Sequence, residues 1–427
     1  MKPAPLLTLS FDGQTAPARW PSVSLCMIVK NEAANLAGCL RSVGDLASEV
    51  IVVDTGSTDQ TVDIAQALGA RVEYFTWIDD FAAARNESLR HASGDWILWL
   101  DADDRLSPAN VNQLKNAVAS GQADAYRCRM VSPLAGENPA SNQVFYTLLF
   151  KNHLGVQFED PIHESVTESL LRRGLTIAHT NISIQHTGYS GDPASLRRKA
   201  RRNAAILRRC VLEQPQRLKW RYHLGLSLYQ LADYRGAIEQ FEMIINHPAP
   251  ELNANSHLYK AYILLMSAYT TLPDMARAEA VLQRGLALFP GRRHGWITAG
   301  MFYLRQNRPE LARQCLERAQ TLPPESDAEG ESWAAGVLEA QLGLACRAAG
   351  LAALGREDFA AAIDALQTWV DVALPPERAE ACKMLAVALQ KSGRQSEALA
   401  CWQLALQTPV AAPRAGGLAC ARFLGGG

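Results

Sequence analysis

A chain of 427 residues is too long for one ordinary hydrophobic core and comfortable for two domains, or for one domain followed by a repeat array. Lys and Arg number 42 against 43 Asp and Glu; the net charge of -1 excludes a whole-chain field that would gather nucleic acid or anionic lipid, so any basic site must be local. Nine scattered cysteines without a Cys-x-x-Cys pair exclude a zinc ribbon, a thioredoxin-like motif and a secreted disulfide framework, and fit a reducing cytoplasm.

Residues 1–21 read as an extension, with no apolar run behind a basic start, so neither a signal peptide nor a membrane anchor is expected there. No later apolar stretch approaches the ~20 residues a spanning helix needs. From residue 23 to 131 short β-branched runs alternate with amphipathic stretches, the pattern of an α/β sheet. Strands are expected at 24–29, 50–53 and 71–74, with helices at 35–43 and 81–91. The turn Asp54-Thr55-Gly56-Ser57-Thr58-Asp59 opens a further helix. Trp96-Ile97-Leu98-Trp99-Leu100 reads as a central strand buried on both faces, and it ends abruptly in Asp101. After Pro108 a helix and a strand follow; the pattern then loosens over 135–186, with strands at 145–150 and 182–185.

Residues 193–213 turn helical and basic, with Arg197, Arg198, Lys199, Arg201, Arg202, Arg208 and Arg209. Aromatic residues for base stacking are absent from that segment, so it reads as a connecting helix, solvated or near a phosphate, and no nucleic acid is expected as partner. Beyond it small residues recur at equivalent helical positions. Leu224-Gly225, Ala237 and Phe241 make one copy; Gly300, Tyr303, Ala312, Leu316, Ala319 and Pro324 make a fuller one. Weaker copies use Leu265, Tyr269, Ala278, Leu282 and Pro290, then Gly350, Ala362 and Leu366, then Leu385, Ala398, Trp402 and Ala405. This is the tetratricopeptide spacing, and it predicts roughly five helical hairpins. The expected organisation is an extension (1–21), an α/β domain (22–190), a basic linker helix (191–217), all-α repeats (218–410) and a tail (411–427).

The chemistry concentrates in Asp101-Ala102-Asp103-Asp104, carboxylates on the turn after a buried strand, where open α/β sheets place their ligands. Hard oxygen ligands there suit Mg²⁺ or Mn²⁺ on a diphosphate. Alone, the triplet reads more readily as a solvated turn ahead of the helix capped at Ser107-Pro108. What changes the reading is order: Lys30-Asn31-Glu32 follows the first strand, Asp54 to Asp59 follows the second, and Phe81-Ala82-Ala83-Ala84-Arg85-Asn86 lies between them and the acidic turn.

That series resembles the inverting GT-A glycosyltransferases of the large family 2 type, tightly over 22–106 and more loosely to 186. The resemblance implies a mixed-sheet α/β fold that binds a nucleotide-sugar, with Asn31, Glu32 and Asp54 near the uracil or ribose and Arg85 at the base or diphosphate. It implies Asp101 on ribose and metal, and Asp103 on the metal. Asp160-Pro161-Ile162-His163-Glu164 and Gln185-His186-Thr187-Gly188-Tyr189, followed by the basic helix, are similar to bacterial enzymes that join this domain to tetratricopeptide repeats, among them the sublancin-type peptide S-glycosyltransferases. His186, leaving an apolar strand, is then the expected third metal ligand, ahead of His153 and His179. An inverting transfer also needs a base on the acceptor side; Glu164 is the first candidate, Asp104 stands behind it, and His163 orients it or acts itself. Where the family tends to carry Arg before Leu-Phe, this chain has Tyr146-Thr147-Leu148-Leu149-Phe150.

The expected enzyme is therefore a hexosyltransferase using a UDP-sugar and Mn²⁺ or Mg²⁺, with a peptide or protein acceptor held by the repeats. A glycan or lipid-linked glycan acceptor stays open, as does a non-catalytic scaffold that senses a nucleotide-sugar. Exposed repeat faces also allow a homodimer.

Overall fold

The structure is a computed structural model, and it describes residues 8–11, 20–133, 141–187, 193–248, 256–323 and 337–407. Most of the extension, Gly188-Tyr189, Pro324 and the tail lie outside the described residues. Two compact units divide between Ser227 and Leu228.

In the first unit the strands are β1 (Thr8–Leu9), β2 (Val23–Val29), β3 (Glu49–Asp54), β4 (Arg71–Tyr74), β5 (Trp96–Trp99), β6 (Asp104–Arg105), β7 (Ala125–Pro133), β8 (Ser141–Lys151) and β9 (Ile177–His186). Helices α1 (Leu36–Val43), α2 (Thr61–Ala67), α3 (Phe81–Arg90), α4 (Pro108–Ser120), α5 (Thr167–Arg172) and α6 (Pro193–Glu213) connect or follow them. The sheet runs β1-β9-β7-β8-β5-β2-β3-β4, with β6 paired to β9. Strands β5, β2, β3 and β4 are mutually parallel, so their carboxyl ends share one edge; the turn to antiparallel pairing comes at β8. The mixed sheet is the expected one. β1 was not foreseen: it pairs in parallel with β9, and Phe11 behind it is buried edge-on against Tyr126 at 5.5 Å, so part of the extension belongs to the sheet and its core.

Local chemistry explains the elements. Trp96, Ile97, Leu98 and Trp99 are all buried, as an apolar run flanked on both sides by strands must be. Asp80 caps α3 by accepting from the Ala83 amide at 2.9 Å, which fixes where the helix bearing Arg85 begins. Ser107 accepts from the Asn110 amide at 3.2 Å, with Pro108 in the first turn of α4.

At the other end of the strands Asp124 ties β8 to the start of β9. Its carboxylate accepts from Lys151 Nζ at 2.8 Å and from the Thr176 amide and hydroxyl at 2.9 and 2.8 Å. The Lys151 bond, then those from Thr176, hold its pKa down at about 2 against an ordinary 3.8. A depressed acid contributes stability above its unfolded value and loses it as pH falls through the folded one. Asp124→Asn is thus expected to lower the melting temperature at pH 7 and to flatten the loss of stability between about pH 4 and pH 2; acid-unfolding curves that superimpose on wild type would refute the tie.

Helix α7 (Leu218–Gln230) spans the division; the second unit holds α8 (Tyr234–Ile245) and then helix pairs, α9 (Ser256–Thr271) with α10 (Met275–Leu288), α11 (Arg293–Arg305) with α12 (Pro309–Gln320), α13 (Val337–Gly355) with α14 (Phe359–Val372), and α15 (Pro375–Lys391) with α16 (Gln395–Gln407). Asp233, Asp274 and Asp358 cap α8, α10 and α14 in the same way, each accepting from the amide three residues on at 3.1 Å. The recurring glycines are close-approach positions. A Cβ on Gly300 or Gly350 would collide with Leu316 or Leu366, both fully buried, so nothing larger lets the paired helices meet.

Candidate active site

The carboxyl edge of the parallel strands gathers most of the expected residues. Val29 lies beside Asp54 in register, and Cys26 beside Trp99, so the turns after β2, β3 and β5 open on the same side. Asn31 takes a left-handed conformation, φ 57°, and clasps the neighbouring turn: its amide donates to Ser57 Oγ at 2.9 Å and its Oδ1 accepts from the Thr58 amide at 2.7 Å. Asp54 is buried and accepts from the Gly56 and Ser57 amides at 3.0 Å each, so it shapes that turn. Glu32 is half-buried, accepts from Asn35 Nδ2 at 2.9 Å, and has its carboxyl raised mainly by burial.

Arg85 is the hub. Its Nη2 donates to Asp101 Oδ1 at 2.8 Å and its Nε to Glu164 Oε1 at 2.6 Å, joining the acidic turn to a segment 79 residues along the chain from Arg85. The guanidinium lies 4.2 Å over the Trp99 ring, which answers why that tryptophan ends the central strand, and Trp99 Nε1 donates to the Thr147 carbonyl at 2.8 Å. Its buried Nη1 has no hydrogen-bond partner among the described residues. Burial works against the Arg85 charge, but Asp101 and Glu164 override it and keep the group cationic. Burial likewise works to raise Asp101, and the Arg85 guanidinium overrides it, holding the carboxyl below its usual range.

Asp103, Asp104 and His186 form a second cluster whose ligand atoms all lie within 4.8 Å of one another. β6 and β9 create it by pairing Asp104 directly with His186. His186 Nδ1 is 2.9 Å from Asp104 Oδ1 and 3.4 Å from Asp103 Oδ1. Asp104 is fully buried, and its second oxygen accepts from the Asp101 amide at 2.8 Å. Both its oxygens therefore face protein groups, a geometry that orients His186. Burial raises Asp103, and it pushes Asp104 up to about 6. Burial opposes the imidazolium of His186, yet the hydrogen bond to Asp104 and the charge of Asp103 raise its pKa.

Glu164 and His163 sit in an unusual segment. Asp160 and His163 both have positive φ, 77° and 54°. Asp160 is held by Arg217 Nη1 at 2.7 Å and by Lys219 Nζ, and the His163 ring stacks on His223 at 3.7 Å. His163 is exposed and Glu164 mostly buried, with a side chain 11% accessible. His153 lies two residues beyond Lys151, which pairs with the start of β5, away from Asp101. His179 lies seven residues before His186, 3.4 Å from Arg127, with its pKa lowered by burial. The structure brings neither to the carboxylates. The ties of Asp160 to Arg217 and Lys219 escaped the sequence reading, because nothing local marks residues 57 and 59 positions apart as partners.

Residues 24–179 match the glycosyl transferase family 2 model, and residues 294–326 match a tetratricopeptide repeat. A TPR repeat-containing protein of Synechococcus elongatus is 32% identical over 315 residues, which cover 72% of this chain and 77% of that protein. The SPbeta prophage-derived glycosyltransferase SunS of Bacillus subtilis is 28% identical over 57% of this chain and 58% of its own length. Among solved structures, glucosyl-3-phosphoglycerate synthase from Mycobacterium tuberculosis, in complex with Mn²⁺ and UDP-glucose, is 20% identical, covers 48% of this chain and 85% of that one, and has a TM-score of 0.35. With a sheet edge carrying the family's polar turns in order and helical repeats following in the sequence, this chain belongs to glycosyl transferase family 2, as a glycosyltransferase fused to tetratricopeptide repeats.

Proposed function

We propose that the chain transfers a hexose or N-acetylhexosamine, with inversion, from a UDP-sugar to a peptide or protein, in a reaction that depends on Mn²⁺ or Mg²⁺. The observation that carries this reading is the pairing of two clusters on one turn: Asp101 with Arg85 and Glu164, and Asp103 with Asp104 and His186. Carboxylate oxygens with one imidazole fit a borderline-hard divalent cation. Asp103 and His186, with Asp101 beside them, would hold it, and Asp104, 2.9 Å from Nδ1, would orient the His186 ring. Such a cation, when bound, supplies Lewis-acid stabilisation of the departing diphosphate.

The remaining steps fall to side chains of the chain. Asn31, Glu32 and Asp54 line the floor where uracil and ribose would lie, and Arg85 faces the ribose or diphosphate. The acceptor atom attacks the anomeric carbon as the bond from that carbon to the diphosphate oxygen breaks, and the acceptor's proton passes to a base. Glu164 is that base, with His163 next to it; Arg85 Nε, 2.6 Å from Glu164 Oε1, fixes where its carboxylate stands. Asp104 is better suited to positioning His186 than to the acceptor side. The repeats support a peptide acceptor, because stacked helix pairs make extended surfaces suited to extended chains, and they leave faces through which two copies could pair.

Among the described residues no helix is long and apolar enough to cross a membrane. The test is transfer itself: the full chain with a panel of UDP-sugars, incubated with candidate peptides or with glycans and lipid-linked glycans. A mass increase of one sugar on a peptide is the expected result. Transfer to glycan alone would overturn the peptide assignment, and no turnover with any donor would favour a sensing scaffold.

A further inference from the structure

The family match ends at residue 179, yet the electrostatics of the site do not. Five acids, Glu32, Asp101, Asp103, Asp104 and Glu164, meet there with Arg85 and His186 as the cationic partners described above. A divalent cation held there would offset only part of that negative charge, so a diphosphate gains from further positive charge facing it. Helix α6 supplies such charge on one side. Lys199, Arg202, Ile206 and Arg209 follow the spacing that puts residues on a single helix face. That face is docked on the start of α3, the helix bearing Arg85: Arg209 Nη2 donates to the Asp79 carbonyl at 2.8 Å, and the Arg202 guanidinium lies 4.8 Å over the Phe81 ring. Ile206 is buried between them.

Both cations at the upper end of the face are exposed. Arg202 donates to neutral Asn203 Oδ1 at 3.0 Å, and its charge is felt by Glu164 and Asp79; Lys199 is felt by Glu32, Asp101 and Asp103. Among the described residues neither makes an ion pair at contact distance, so each keeps its charge for a ligand of this site. We infer that Lys199 and Arg202 bind the diphosphate of the nucleotide donor, and that α6, which follows the family segment, is therefore a wall of the donor site. The inference rests on the nucleotide-sugar reading above, and it extends that reading to residues outside the family segment.

Titration calorimetry on the full chain with Mg²⁺ present, using UDP and uridine as ligands, tests it. Lys199→Met and Arg202→Met are each expected to weaken UDP by ~10-fold, the ordinary worth of one charge-assisted contact, and to leave uridine unchanged. Lys199→Arg should recover most of the loss, and Arg208→Met, on the opposite face of α6, should bind UDP as wild type does. Unchanged UDP binding in both Met variants, or equal losses for UDP and uridine, would overturn the assignment. Wild type that binds UDP no better than uridine would instead overturn the donor reading, and this inference with it.

Discussion

Arg85→Met is expected to abolish sugar transfer and to loosen the fold in the same stroke. The guanidinium bonds Asp101 and Glu164 together, and its flat face rests on Trp99. Methionine fills the space over the indole but strands Glu164, whose side chain is only 11% exposed, without its cation. Breaking a buried pair by removing one partner costs on the order of 3 kcal/mol at the low end, the end that applies because Asp101 is 42% exposed and can rehydrate. Denaturant midpoints should read that loss directly. Arg85→Lys returns the charge without the fork, so it should recover stability while turnover stays low. A Met variant as active as wild type would remove Arg85 from the donor site; one as stable would show that the two carboxylates do not rely on it.

Asp103→Ala should separate activity from stability in the opposite sense. Transfer is expected to fall by ~10³-fold or more, as for loss of a group that stabilises developing charge. The fold should not suffer. Burial raises the Asp103 carboxyl, and an acid whose folded pKa lies above its unfolded value opposes folding once it is charged, so removing it at neutral pH relieves strain. Wild type should melt higher when Mn²⁺ is added, since a ligand of the native state stabilises by mass action, and the variant should lose that rise. Turnover unchanged in Asp103→Ala, or an identical Mn²⁺ rise in both proteins, would sink the metal assignment.

The parallel half of the sheet was legible because apolar runs bounded by polar turns are a local pattern, and 96–100 could hardly be anything but a buried strand. The repeats were legible for the same reason: Gly300 and Gly350 recur with Leu316 and Leu366 sixteen residues on, a spacing that helix packing dictates. What escaped was long-range. β1 is too short to announce itself, and only its pairing with β9 makes it a strand. Asp104 read as a spare base because its neighbours in sequence say nothing about His186, which β6 and β9 bring to it across 82 positions. The side of α6 that meets Asp79 and Phe81 was likewise invisible, although its basic composition was plain. Periodicity reports what an element is, whereas burial and counter-charges report what a residue does, and only tertiary pairing fixes those.

The ion pairs from Asp160 to Arg217 and Lys219, with the His163–His223 stack, also bear on how such a chain could have been assembled. A recombination that swapped repeat arrays at the end of the family segment would sever the loop of Asp160 and His163 from the residues that brace it. A crossover after Ser227, where the compact units divide, would carry loop and brace together. The heritable module is then longer than the motif-bearing domain, and new repeat arrays could be exchanged behind it while its chemistry passed on intact.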